Sequence, residues 1–356
     1  MRDAFTCGPP VYGENFFGRA ALVASLLDGM LAGRESTLLI GESRIGKTSI
    51  LRQLSHVLAP VDGTAVFFDG WIGGSAQRFA VELGRALDEA PGLQHRAARA
   101  GEKGLYPLLH LLESSRHRLT LLVDEVDGIV ADKESARFIR SAASLGHKIV
   151  IAGSRIDPAQ HETHPTEPPW WNVFRIQYVG LFTQDEANDL LLTLSERSGQ
   201  QFTDGECAFL QDMVGGFPYF LQWLGKEVFL RGYRDCTTSQ RRTLFQELAT
   251  DYSLVGMLGQ YFGGWLDRLD DRQIALLVES ASGRGITPHL GMIQLKNRGL
   301  LVEDDGRWRP FSRLFGEFLR ALPKGPLVSG DLKSMLLQCF LPALKTAVEV
   351  AAKHYL

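Results

Sequence analysis

The stretch that most constrains this chain is Thr37-Leu38-Leu39-Ile40 followed by Gly41-Glu42-Ser43-Arg44-Ile45-Gly46-Lys47-Thr48. A short apolar run, a glycine-rich turn and a helical pattern from Lys47 to about Leu58 make a strand–turn–helix unit. Gly41 and Gly46 let the turn bring successive amides inward, and the start of the helix adds a positive field there. Every fixed position of G-x-x-x-x-G-K-[ST] is occupied, in the context that pattern requires. Such a turn is built around phosphate.

The rest of the N-terminal half is compatible with one sheet. Short apolar runs at 37–40, 65–68, 119–123, 148–152 and 174–179 alternate with helical patterns at 20–30, 47–58, 76–87 and 135–144. That alternation predicts an α/β fold with a parallel sheet covered by helices on both faces. Residues 158–169, rich in proline, threonine and histidine, read as a loop. Beyond 180 the pattern turns helical. Thr183-Gln184-Asp185-Glu186 and Thr203-Asp204-Gly205-Glu206 each fit a capping box, so helices are expected to begin at both threonines. Gly215 as a helix end and Pro218 as the first residue of the next helix fit the asymmetry of helix termini. Helices near 272–279 and 288–298, with Gly299 closing the second, precede a hairpin turning at Asp304-Asp305-Gly306, which suggests a winged helix. The last thirty or so residues read as helical, interrupted at Pro342.

At 356 residues the chain is too long for one compact core, and its 45% hydrophobic and 22% charged content is that of a soluble globular protein. A net charge of −3 excludes a polybasic nucleic-acid binder but leaves room for a local basic face. Cys7, Cys207, Cys236 and Cys339 lack metal-ligand spacing and read as reduced, partly buried thiols. No signal peptide and no run of eighteen apolar residues occurs, so the expected location is the cytoplasm, with no membrane span.

The chemistry is expected at the carboxyl ends of the strands, where open α/β sheets bind ligands. Lys47 reaches the β- and γ-phosphates of a nucleoside triphosphate, most simply ATP, and the Thr48 hydroxyl ligates Mg²⁺. The run Leu121-Leu122-Val123 ends in Asp124-Glu125. Asp124 is expected to hold Mg²⁺ and Glu125 to polarise the attacking water, with Asp127 a further acid in the same turn. The strand Ile149-Val150-Ile151-Ala152 runs into Gly153-Ser154-Arg155, where Ser154 can meet water or the γ-phosphate. Arg155 can neutralise γ-phosphate charge in its own subunit or a neighbour's, or be a surface arginine at a loop entry. His161-Glu162-Thr163-His164 lacks the zinc-protease spacing and reads as loop, while Trp170 and Trp171 can be core or exposed contact.

In this order these motifs resemble the STAND ATPases (signal transduction ATPases with numerous domains), nearest the prokaryotic branch labelled AAA-like or archaeal-type ATPase; the likeness spans about residues 11–322. It implies ATP and ADP as ligands of an AAA+-like P-loop domain. Asn15-Phe16-Phe17-Gly18-Arg19 matches the family segment that cradles adenine and ribose, which implicates Phe17, Gly18 and Arg19. Ala20 stands where the family has glutamate, so that carboxylate's contact is missing. Gly41, Arg44, Ile45, Gly46, Lys47, Thr48 and Ser49 follow the branch's phosphate loop. Gly216-Phe217-Pro218 matches the G-x-P signature, making Pro218 the adenine contact, compatibly with its place at a helix start. Arg155 corresponds to the arginine beside the γ-phosphate.

The expected organisation is then a nucleotide-binding domain over 1–180, a helical lid over 181–261, a winged helix over 262–325 and a helical segment over 326–356. The resemblance implies a homo-oligomer in the ATP state. Full-length members usually carry an effector or sensor domain for which no room remains here, so that partner is a separate polypeptide or the chain is a fragment. Origin-binding and transposition-helper AAA+ ATPases place a sensing arginine on the lid's third helix. Here Tyr219–Lys226 offers none before Arg231, with Lys226 a weak substitute. The winged helix carries Lys296, Asn297, Arg298, Arg307 and Arg309 beside Glu303, Asp304 and Asp305. Contact with DNA and a structural clamp on the ATPase core are both open from these residues, the acids favouring the clamp. Leu344, Val348, Ala352 and Tyr355 share one helical stripe, which predicts a terminal helix packed on the chain or on a partner.

Overall fold

The computed structural model describes residues 4–32, 35–59, 65–72, 75–115, 118–156, 169–283, 290–322 and 341–356. These fall into two compact units, one of residues 10–179 and one joining residues 1–9 to 180–356.

The first unit is built on five parallel strands in the order β2-β3-β4-β1-β5: β1 Ser36–Ile40, β2 Ala65–Asp69, β3 Thr120–Asp124, β4 Lys148–Gly153 and β5 Phe174–Tyr178. β1, β3 and β4 are central, and their nearly unbroken apolar sequences are buried along almost their whole length. β2 and β5 are the edges and carry exposed or half-buried positions. Because β4 lies between β1 and β3, the ends of three strands that are distant in sequence stand side by side.

Helices α1 Ala20–Leu31, α2 Lys47–Leu58, α3 Ala76–Leu87, α4 Ala97–Glu102, α5 Leu105–Ser114, α6 Asp127–Val130 and α7 Lys133–Ser144 complete this unit. The sequence reading assigns neither α4 nor α5. Both pack beside α3 and bury Leu105, Leu108 and Leu112 with Phe79 and Leu83 in the sheet's core. Ser75 and Asp132 cap α3 and α7 by accepting from the amides three residues on. Trp170 and Trp171 sit edge to face at 5.8 Å, partly buried against the same core, which resolves their two readings in favour of packing. The histidine-containing motif at 161–164 lies outside the described residues.

In the second unit α8 Gln184–Arg197 and α9 Asp204–Val214 start at Thr183 and Thr203 with both reciprocal capping bonds formed. They are followed by α10 Pro218–Leu230, α11 Thr238–Thr250, α12 Tyr252–Leu266, α13 Asp271–Ala281, α14 Leu290–Asn297, the hairpin β6 Leu301–Asp304 and β7 Arg307–Pro310, α15 Arg313–Ala321 and α16 Leu341–Tyr355. Asp305 and Gly306, both at positive φ (47° and 74°), form the two-residue turn between the strands. Pro342, where an interruption is expected, lies at the start of the last helix, and residues 323–340 before it lie outside the described residues. The proline stands in the first turn of α16, where no amide hydrogen is needed. Val348 and Ala352 of that helix are fully buried, and α16 packs on α9, α11 and α15.

The core of this unit is aromatic. Phe217 stacks on Phe220 at 4.5 Å and on Trp265 at 5.1 Å, while Phe262 meets Phe315 at 5.0 Å and Phe318 at 5.3 Å. Phe311, at the end of the hairpin, closes the group against Phe217. Residues 4–9 join this unit: Phe5 packs on Phe202 and Phe229, and the Ala4 amide donates to Ser198 Oγ. Among the described residues Cys7, Cys207 and Cys236 form no disulfide, and burial pushes the Cys207 thiol up to about 12, which makes it a packing residue. No helix among the described residues is long and apolar enough to cross a membrane.

Candidate active site

The site is the carboxyl edge of β1, β4 and β3. β1 delivers the chain to Gly41, whose α-carbon is so close to the Val179 carbonyl that a side chain would lie 2.7 Å from that oxygen. The turn then uses two left-handed residues, Arg44 (φ 68°) and Gly46 (φ 102°), to aim the chain into α2. A Cβ at Gly46 would sit 2.7 Å from Arg19 Nη1, so glycine there serves both the turn and the approach of that guanidinium.

Lys47 is only 6% exposed. Its three ammonium hydrogens have three acceptors, the carbonyls of Gly41 (2.9 Å) and Glu42 (3.0 Å) and the hydroxyl of Ser154 (2.9 Å). Burial lowers its pKa, and the nearby carboxylates of Glu125, Glu42, Asp124 and Asp127 oppose that shift. The Ile45 side chain is fully buried and its amide donates to the Glu42 carbonyl, so this residue shapes the turn.

Thr48, one residue into α2, hydrogen-bonds to the carboxylate of Asp124 at the end of β3. Asp124 is buried and its Oδ1 has no hydrogen-bond partner. Burial raises its pKa, against the pull of Thr48, the Glu125 amide and Lys47. Glu125 adopts a left-handed conformation (φ 47°), a strained choice for a side-chain-bearing residue. Burial, and then the neighbouring Asp124, raise the Glu125 pKa as well. A divalent cation fits here: the Thr48 hydroxyl and the unpartnered Asp124 Oδ1 belong to one hydrogen-bonded pair, beside two carboxylates whose burial the single charge of Lys47 does not offset. Among the described residues no three His, Cys, Asp or Glu side chains converge on one point, so such a cation would take its remaining ligands from phosphate and water, as Mg²⁺ does.

The end of β4 is tied to both neighbours. The Gly41 amide reaches the Gly153 carbonyl (3.4 Å), and the Val126 amide donates to the Ala152 carbonyl (2.9 Å). Asp127 accepts from the amides of Ser154 (2.7 Å) and Arg155 (2.9 Å), a role that its place in an acidic turn does not reveal in the sequence. The Arg155 side chain is exposed, as is that of Arg44.

The segment before α1 is fastened to α2. The Val11 amide donates to Ser49 Oγ (3.2 Å), the Gly13 amide to Gln53 Oε1 (2.8 Å), and Tyr12 lies 5.5 Å from His56. Ser49 thus anchors the N-terminal segment. Arg19, left-handed (φ 57°) and buried, ends that segment, with Phe17 and Gly18 half-buried just before it. Of the expected residues, then, Gly41, Gly46, Lys47, Thr48, Asp124, Glu125, Ser154 and Arg19 come together. Pro218 belongs to the second unit, buried in the first turn of α10.

Residues 31–155 match the protein family described as AAA domain. They form an AAA-type P-loop ATPase domain. The match includes the phosphate loop, the Asp124-Glu125 pair and Ser154-Arg155. A Walker-type ATPase of Pyrococcus abyssi has the same fold, with a TM-score of 0.61 at 18% identity, covering 89% of this chain and 99% of that one. Two further solved structures align at lower scores. The Orc1 protein of Aeropyrum pernix, solved with DNA, reaches a TM-score of 0.45 at 14% identity over 87% of this chain and 93% of its own. A STAND protein of Pyrococcus horikoshii with a tetratricopeptide repeat sensor reaches 0.41 at 17% over 97% and 48%. No curated protein matches the chain in sequence.

Proposed function

We propose that this ATPase is a regulatory switch of the STAND type, in which ATP and ADP hold the chain in different arrangements and hydrolysis returns it from one to the other. Lys47 grips the phosphates, Glu125 takes the proton of the attacking water, and Ser154 and Arg155 meet the γ-phosphate that ADP lacks. Thr48 and Asp124 would hold Mg²⁺, which supplies neutralisation of phosphate charge. Phe17, Gly18 and Arg19 are the proposed adenine and ribose contacts, and Pro218 of the G-x-P segment is the further adenine contact that the family resemblance implies. Within the second unit, a helical lid (181–261) and a winged helix (262–325) share the aromatic core around Phe217, so the G-x-P segment and the hairpin move together.

The observation that favours a switch over a DNA-bound motor is the state of the basic residues at the hairpin. Lys296 pairs with Glu303 at 2.7 Å and lies over Trp308, Arg309 pairs with Asp304 at 3.4 Å, and Arg298 is buried. Exposed pairs of this kind add little stability, but each acid cancels charge that a phosphate backbone would need. The exposed residues of α14 include Leu290 and Ile293, which suit protein better than DNA. Arg231, the first arginine after Pro218, is engaged with Asp251 at 2.7 Å and Glu227 at 3.9 Å, which supports assigning the γ-phosphate contact to Arg155 over an arginine of the lid.

Moving a two-state equilibrium from 1:99 to 99:1 takes about 5.5 kcal/mol of differential affinity. Two or three charged hydrogen bonds made only to the γ-phosphate, at about 1.5–3 kcal/mol each, supply it. The ATP form is proposed to assemble with itself or with a separate effector. Light scattering with ADP, with a non-hydrolysable ATP analogue and without nucleotide tests the switch: a mass or shape that changes only with the analogue is expected. Identical behaviour in all three, together with turnover stimulated by double-stranded DNA, would establish the motor instead.

A further inference from the structure

We infer that Asp127 is a positioning residue for ATP hydrolysis, fixing Ser154 and Arg155 where they meet the γ-phosphate; the inference rests on the reading of those two residues given above. Register explains the need. The last rung between β3 and β4 is Val123 with Ile151, and the last between β1 and β4 is Ile40 with Gly153. Beyond Gly153 the sheet offers no acceptors, so the Ser154 and Arg155 amides depend on whatever lies at the strand's end.

Asp127 supplies both acceptors from one plane: Oδ2 takes the Ser154 amide at 2.7 Å and Oδ1 the Arg155 amide at 2.9 Å. Bonds to an ionised acceptor are stronger and shorter than neutral ones, so the carboxylate holds two consecutive residues more tightly than a turn would. Gly153 admits this approach, because a Cβ there would lie 3.0 Å from Asp127 Oδ1 and 2.8 Å from Ile156 Cδ1. The consequence reaches the lysine. Ser154 Oγ accepts a hydrogen bond from Lys47 Nζ, which leaves its own O–H free to donate, and a hydroxyl that accepts from the lysine and donates to phosphate must be held at a fixed height. Asp127 therefore acts through Ser154 and Arg155 and touches no reacting atom. With both oxygens engaged, it is poorly placed to be a second base.

The test compares Asp127→Asn with a Ser154→Ala, Arg155→Ala double variant. In asparagine one oxygen becomes an amide that cannot accept, so one of the two bonds is lost. For D127N, affinity for the ATP analogue and kcat should each fall about tenfold or more, while ADP affinity stays within about twofold. The double variant should show the same split, and adding D127N to it should change neither quantity further by more than about twofold. Equal weakening of ADP and ATP with a lowered Tm would overturn the proposal and leave Asp127 a fold-holding residue. An undiminished loss of kcat from D127N in the double-variant background would also overturn it, by placing Asp127 in direct contact with the reaction. A double variant that binds the ATP analogue as the parent does would overturn the reading of Ser154 and Arg155, and the proposal with it. Asp127→Ser, which keeps one acceptor on the same Cβ, carries the comparison if D127N does not fold.

Discussion

Two groups of residues, one in each unit, are held together by opposite means. Around Lys47 a buried ammonium, the Asp124 carboxylate and a half-buried hydroxyl are held by hydrogen bonds beside the Glu125 carboxylate, with left-handed backbone at Arg19, Arg44 and Glu125. Around Phe217 the contacts are rings against rings. The aromatic group is arranged for stability, since burying apolar surface costs nothing in unpaired charge. The polar group is arranged against it. Desolvated charges and strained dihedrals are tolerated where the fold over-determines them, and a phosphate with its cation would relieve them.

Four experiments can break or sharpen this contrast. The largest effect is expected at Lys47: replacement by alanine should remove ATP binding from the range of calorimetry, while Tm barely moves, because the lost group was a buried charge. Micromolar binding in that variant would remove the phosphate-loop assignment. Phe318→Ala, in the same aromatic core but outside the G-x-P segment, should do the reverse, lowering the stability of the second unit by about 3–5 kcal/mol in denaturant unfolding with little change in nucleotide affinity. If it weakens ATP binding as much as it lowers stability, the two groups are not separable as drawn. Glu125→Gln should keep ATP bound and lower kcat at least about a hundredfold, the lower range for a positioned general base. Turnover at the parent rate would exclude Glu125 as that base.

The smallest effect belongs to His147, at the other end of the parallel sheet. It is buried, the Leu119 amide donates to its Nδ1 (3.2 Å), and burial lowers its pKa. The unfolded chain therefore binds a proton at higher pH than the folded one. Its stabilising contribution should be complete above the ordinary histidine pKa of about 6.5 and be lost as pH falls through that value toward the lowered one. His147→Gln should flatten the pH dependence of Tm over that interval. An unchanged slope would assign the acid sensitivity to other groups.

The candidate site was legible in sequence where its parts are local. A glycine-rich turn between a strand and a helix carries its own geometry, and Asp124-Glu125 announces itself as two carboxylates ending an apolar run. The capping boxes at Thr183 and Thr203 were equally legible, since both halves of each lie within four residues. The helices at 97–114 were not, because short elements that pack on α3 owe their form to tertiary contact more than to periodicity.

What the sequence determined by itself, then, was the chemistry available: a phosphate-binding turn, a pair of acids and a serine and arginine after a third strand. Only the tertiary structure decided how they act on one another. Strand order puts β4 between β1 and β3, so Ser154 reaches Lys47 from 107 positions away and Asp127 reaches the Ser154 amide from 27. Likewise Ser49 and Ile45, read as nucleotide contacts from their place in the motif, also have partners that the motif does not reveal: Ser49 Oγ accepts from the Val11 amide, and the Ile45 amide donates to the Glu42 carbonyl. The physical reason is common to all of them. A side chain's chemistry is written in its identity, but its partner is whichever group the sheet brings within about 3 Å, the reach of a hydrogen bond.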